Sequence, residues 1–286
     1  MSDGIRGLKK KLRSIHSLQS LIKTIKILSA MRISSYQQAV EATTRYSESI
    51  ELGMMACLRS APWIQEAIRR EEVAVKTMGV IIFGTDQGMV GSFNDQICDY
   101  MRGQLASTQA KTIVWAVGQR LHWTVSHIPQ VTVRNSLQVP TSVTAIAHLI
   151  SQILEAIDSE GESLDRLQIF YNAPGMGASY TPTSCNLLPL DVNWLDSMVE
   201  KKWPTNQLPE VIGDVEEALT ALIREFLFLS IFRACAASLA SENASRLALM
   251  QVAEKRIDEM MESVTLQYHK NRQALVDEEL FSRAVY

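Results

Sequence analysis

A chain of 286 residues with 47% hydrophobic content can bury a sizeable core as one large domain, two small ones, or one domain carrying extended helices. Its net charge of −3 gives no reason to expect a nucleic-acid partner. Cys57, Cys98, Cys185 and Cys235 form no CxxC pair and sit in no His/Cys cluster, so a metal centre is not expected and a reducing compartment fits.

The first block, residues 1–60, is expected to be one long helix, because neither glycine nor proline occurs from Leu8 to Leu52. Leu8, Leu12, Ile15, Ile22 and Ser29 trace a stripe, and Leu18, Leu21, Ile25 and Leu28 widen it into a face that needs a partner. Gly53 and Pro62 weaken the helical signal beyond. Residues 1–32 hold eight Lys and Arg against the single acid Asp3, whereas residues 210–286 hold 13 acids and eight Lys and Arg. On charge alone the two ends meet each other, or the basic end meets an acidic partner, or both are solvated helix faces.

The middle block, residues 76–205, holds most of the glycines and prolines. Val80–Phe83, Thr112–Val117 and Leu167–Tyr171 read as buried strands, with Tyr180–Leu188 as an edge strand. Helical patterns over 92–107 and 142–158 separate them, and Leu149, Ile153 and Ile157 share one face. Alternating strands and helices predict a Rossmann-like α/β domain with a sheet parallel at its centre.

The third block, residues 210–286, has neither glycine nor proline from Asp214 onward, 73 residues in all. A continuous helix there would run roughly 110 Å, against roughly 50 Å across for a compact globule of this chain length. It is expected to project as a rod. Leu247, Met250, Glu254, Ile257, Met261, Val264, Tyr268, Asn271 and Leu275 follow strict 3,4 spacing, a coiled-coil seam interrupted by the polar Glu254 and Asn271. The expected mate is the N-terminal helix. The predicted fold is thus an antiparallel two-helix coiled coil of the chain's two ends with an α/β domain inserted between them. The most apolar stretch, Ala218–Ala240, carries Arg224, Glu225 and Arg233, so it reads as a helix buried against protein, not one spanning a membrane.

The loop Gly84–Asn94 follows a strand and precedes a helix, the context of a phosphate site. It lacks both GxxxxGK[ST] and GxGxxG, and a tight strand-to-helix turn is the preferred account. Asn172–Gly177 has no serine nucleophile, and His16, His122, His127, His148 and His269 form no HExxH pair. No catalytic residue, metal or cofactor is expected.

Lys11–Ile15, Lys23–Arg32, Asp86–Asn94, Ser241–Arg246 and Leu266–Ala274, taken together, resemble the gamma subunit of F-type rotary ATP synthases. These motifs lie in all three blocks. The resemblance implies a non-catalytic central shaft turning within three alpha and three beta subunits, its foot on the epsilon subunit and the membrane c-ring. That places the protein peripherally on the cytoplasmic face of the bacterial inner membrane. It implies contacts to beta through Lys23, Ile25, Lys26, Glu242, Arg246, Arg272, Gln273 and Glu279, with Asp86, Gly88, Gly91 and Asn94 as the family's foot-domain loop.

The chain also departs from the family pattern. Ile25 replaces a methionine, Gln87 and Val90 stand where Arg or Lys and Cys are common, Asp277 replaces Thr, and Ser282 replaces an acid. Arg283–Tyr286 stand where a Gly-Ala ending is usual, so the resemblance leaves open whether the uppermost bearing contacts carry over. The cysteine-bearing insert of the photosynthetic type is missing, so thiol switching is not expected. These departures imply a divergent bacterial branch, with sodium as a candidate coupling ion. Two other functions stay open on the sequence: a coiled-coil scaffold tethering its α/β domain, and a small-molecule enzyme built on that domain.

Overall fold

The computed structural model describes residues 2–70, 75–129, 131–134, 136–159, 164–207 and 209–284. They form α1 (Ser2–Ser60), α2 (Pro62–Arg70), β1 (Thr77–Phe83), α3 (Phe93–Leu105), β2 (Lys111–Val117), α4 (Gln119–Val125), β3 (Val131–Val133), α5 (Val143–Asp158), β4 (Arg166–Pro174), β5 (Tyr180–Leu188), α6 (Val192–Glu200) and α7 (Val215–Ala284). Both terminal helices are continuous. The chain divides into a smaller unit, Met1–Met31 with Arg246–Tyr286, and a larger unit, Arg32–Ser245.

Local chemistry sets the helix ends. Gly213 takes a positive φ of 94° before α7, and the Asp214 carboxylate accepts from the Glu216 backbone N–H at 2.8 Å. Glu216 and Glu217 then lie in the first turn, where the helix dipole favours acids. Ser142 caps α5 by accepting from Ala145 N–H, and Asp191 caps α6 by accepting from Asn193 N–H. α1 runs through Gly53 to Ser60, past the point where the helical signal weakens. A Cβ on Gly53 would lie 3.1 Å from Leu222 Cδ1, so this glycine lets α7 approach. Burial of Met54, Met55, Cys57 and Leu58 around it outweighs the helix cost of glycine, about 1 kcal/mol. Pro62 opens α2 at the first helical position, where its missing N–H costs no bond.

The larger unit carries a five-stranded sheet in the order β3-β2-β1-β4-β5. β1 pairs in parallel with β2 and β4, β2 in parallel with β3, and β5 runs antiparallel to β4 at the edge. Ile81, Phe83, Trp115 and Ile169 face α5 and α7, while Val80, Ile82, Val114 and Phe170 face α3 and α4. Both faces are covered, so the central strands are apolar without alternation. A third cluster joins the end of α1, α6 and the start of α7 through Met54, Leu58, Leu195, Met198 and Leu229.

Candidate functional site

The smaller unit is a two-helix seam. On α7, Met250 and Val264 are buried, and Leu247, Glu254, Ile257, Met261, Tyr268 and Leu275 are half-buried, while most intervening positions are exposed. Asn271 is the one predicted seam residue left exposed. On α1, Ile15, Ile22 and Ser29 are buried and Leu8 and Leu12 half-buried. Two polar bridges fix the direction of pairing. Gln19 Nε2 donates to Asp258 Oδ1 at 2.7 Å, and Lys26 Nζ pairs with Glu254. The partner number falls as the α1 number rises, so the helices are antiparallel.

The expected widening of the α1 stripe is only partial. Ile25 is half-buried, but Leu18, Leu21 and Leu28 remain 50%, 55% and 48% exposed. Two α-helices meet along a narrow a/d seam, and residues one position off it stay outside. Gln19 and Lys26 occupy the α1 positions facing polar α7 residues.

The predicted shaft residues fall into distinct surroundings. Lys23, Arg272 and Gln273 are exposed. Lys26 is held within the chain by Glu254. Glu242 and Arg246 are 6% and 5% exposed, so little of either side chain is presented at the surface of this chain. The side chains of Glu279, of Ser282 and of 283–286 lie outside the described residues.

In the larger unit the loop after β1 is held by its own polar groups. Asp86 Oδ1 accepts from Gln119 N–H at 2.8 Å and Oδ2 accepts from Val139 N–H at 2.9 Å, which ties together the connections after β1, β2 and β3. Asn94 Nδ2 donates to Thr85 Oγ1 at 2.9 Å. Met89 and Gly91 both have positive φ, 62° and 61°, which glycine meets without the cost a side chain brings. A Cβ on Gly88 would come 2.1 Å from Arg120 Nη1, so this glycine lets the guanidinium lie against the backbone. The loop and α4 border an open cleft of about 640 Å³ that includes Arg120 and the exposed Trp123.

Sequence reasoning missed several polar contacts. Ser245 Oγ, on α7, donates to Val90 O at 3.0 Å and so latches the loop. Asp165 accepts from Lys76 and Thr77 N–H, both at 2.8 Å, and these bonds hold its carboxyl below the ordinary 3.8. Only Glu254 left a signal, as a charge in an apolar seam. Also missed were α2, α4, α6 and the three-residue β3, all too short for periodicity to register.

Among the described residues no group of three or more His, Cys, Asp or Glu could hold a metal, and no helix is long and apolar enough to cross a membrane. A two-helix coiled coil built from the chain's ends, together with a mainly parallel α/β sheet in the larger unit, defines the class. The family model described as ATP synthase matches residues 4–282. The chain belongs to this ATP synthase family, that of the gamma chains. Relatives include the ATP synthase gamma chain of Xanthomonas oryzae pv. oryzae, 23% identical over 282 residues and covering 97% of this chain and 96% of its own. That of Geobacter metallireducens is 25% identical over 292 residues, covering 96% and 95%. Among solved structures, the rotor of the Euglena gracilis mitochondrial ATP synthase shares the fold at TM-score 0.62 and 20% identity, covering 96% of this chain and all of that one. The central stalk and c-ring assembly of the Tetrahymena thermophila enzyme matches at TM-score 0.57 and 19% identity, covering 82% and 99%.

Proposed function

We propose that this chain is the central-stalk rotor subunit of an F-type ATP synthase, transmitting torque between a membrane c-ring and a catalytic hexamer of three alpha and three beta subunits. It is a non-catalytic subunit, peripheral to the membrane, and its place is the cytoplasmic face of a bacterial inner membrane. The epsilon subunit is a further partner of its foot. The observation that carries this reading is a family match to ATP synthase over nearly the whole chain, in a molecule whose ends pair as a polar-bridged coiled coil.

A rotor works by presenting different contacts to each catalytic subunit as it turns, so that three otherwise equal sites are biased differently. The exposed Lys23, Arg272 and Gln273 are the groups proposed to meet beta directly. Lys26, Glu242 and Arg246 are proposed to act from within, keeping the helices in place, and Ile25 to support Lys23 from the half-buried flank. Glu279 keeps the beta contact that the family resemblance implies. Asp86, Gly88, Gly91 and Asn94 are proposed to keep the foot loop rigid. On domains, we propose 1–60 and 210–286 as shaft segments and 76–205 as the inserted foot.

The scaffold alternative is not favoured, because the family match spans shaft and foot alike. Affinity purification of the tagged chain from cells decides between them. Alpha and beta subunits should copurify at three copies each per chain. Recovery of the chain with an unrelated assembly, and without alpha and beta, would overturn the rotor.

A further inference from the structure

The larger unit has a second recess that the rotor reading does not use. It is an open groove of about 290 Å³ between α1, the β4–β5 face, α6 and α7. Its apolar wall is made by Leu187, Leu229 and the Trp194–Phe226 ring pair, whose centroids are 4.9 Å apart. Two hydrogen-bond donors sit on this wall. Arg233 makes no hydrogen bond or ion pair among the described residues, and neither does the Tyr171 hydroxyl. The one acid lining the groove, Glu51, is paired with Lys201 at 3.5 Å. Burial pushes the Tyr171 hydroxyl up, and Arg233 pulls it down less, so the group stays a donor at neutral pH.

We propose that this groove binds a small carboxylate with a flat apolar body. The volume lies near the lower end of small-ligand pockets, about 300–1,000 Å³, which suits a one- or two-ring molecule. Guanidinium and hydroxyl supply charge-assisted bonds to the carboxylate, while Trp194 and Phe226 cover the ring. An uncharged ring would gain only the apolar part, and an inorganic anion only the polar part. Bound there, the ligand would brace α7 against β5 inside the foot.

Cys185 lines the same groove and is exposed, whereas Cys57, Cys98 and Cys235 are buried. That supplies the assay. The full chain is treated with N-ethylmaleimide at alkaline pH, with and without 1-naphthoate, and alkylation of Cys185 is followed by peptide mass spectrometry. Naphthoate should slow alkylation of Cys185, and 1-naphthalenemethanol or phosphate should do so much less. Arg233→Met, which keeps an apolar stem at an exposed position, should raise the protecting concentration about tenfold, the size of one charge-assisted bond. Arg233→Lys should recover part of the loss, and Tyr171→Phe should weaken protection without touching the charge. Far-ultraviolet circular dichroism checks that each variant folds. No protection at millimolar naphthoate, or equal protection in wild type and Arg233→Met, would overturn the site. Either result leaves the rotor reading untouched, because copurification with alpha and beta tests that separately.

Discussion

At the scale of residues, function and stability divide between exposed and enclosed polar groups. Arg272 and Gln273 are exposed on α7, and among the described residues neither makes a hydrogen bond or ion pair that truncation would remove. Replacing both with Ala should reduce ATP synthesis in reconstituted vesicles several-fold and leave the thermal unfolding of the free chain unchanged. Unchanged synthesis would move the grip on beta elsewhere. Asp86 is the opposite case. Asp86→Ala strips the acceptor from Gln119 and Val139 N–H together, so urea unfolding should show a loss of about 1–3 kcal/mol. Cys98 is enclosed, and burial followed by the nearby Asp95 and Asp99 pushes its thiol up to about 12. It should resist alkylation at neutral pH until the chain unfolds.

At the scale of elements, the seam of α1 and α7 is selected by charge as well as by apolar contact. The Lys26–Glu254 pair is partly exposed, at 26% and 22%, so its direct contribution is at most about 1 kcal/mol. Its larger effect is on register, because sliding either helix would leave a charge facing apolar groups. Lys26→Met alone should destabilise the coiled coil, since it strands Glu254. The double change Lys26→Met with Glu254→Leu should recover stability but let the helices slip. Disulfide trapping between cysteines placed on α1 and α7 reads this out: one pair should form in the wild type and several in the double variant. α1 and α7 also approach closely at Gly53 in the larger unit. Gly53→Val would push into Leu222, and a loss of about 1–3 kcal/mol is expected in denaturant unfolding.

At the scale of the whole molecule, acid sensitivity follows from carboxylates that accept backbone bonds. Asp165 is held below its ordinary 3.8 by Thr77 and Lys76 N–H. Its folded value is depressed, so its stabilisation is present above pH 3.8 and is lost as pH falls through the folded value. Asp165→Asn should therefore flatten the acid limb of the stability curve below about pH 4. A wild-type and variant curve of the same slope there would refute this. What was legible beforehand is the set of long, strongly patterned segments. Absence of glycine and proline from Asp214 onward, with apolar residues at 3,4 spacing, specifies a helix and its buried stripe without reference to any other part of the chain. The same holds for the apolar runs that became β1, β2 and β4, because a strand covered on both faces needs no alternation. The resemblance carried by short motifs such as Ser241–Arg246 was legible too, since a motif is a property of the sequence alone. Polar partners were not. Glu242, Arg246 and Lys26 read as contacts to beta, and neither the burial of the first two within this chain nor the pairing of Lys26 with Glu254 was legible in the sequence. Periodicity depends on neighbours three or four residues away, so the chain's own order determines it. Lys26 and Glu254 are 228 residues apart, and Ser245 and Val90 155 apart, and only the folded arrangement brings such groups within hydrogen-bonding distance.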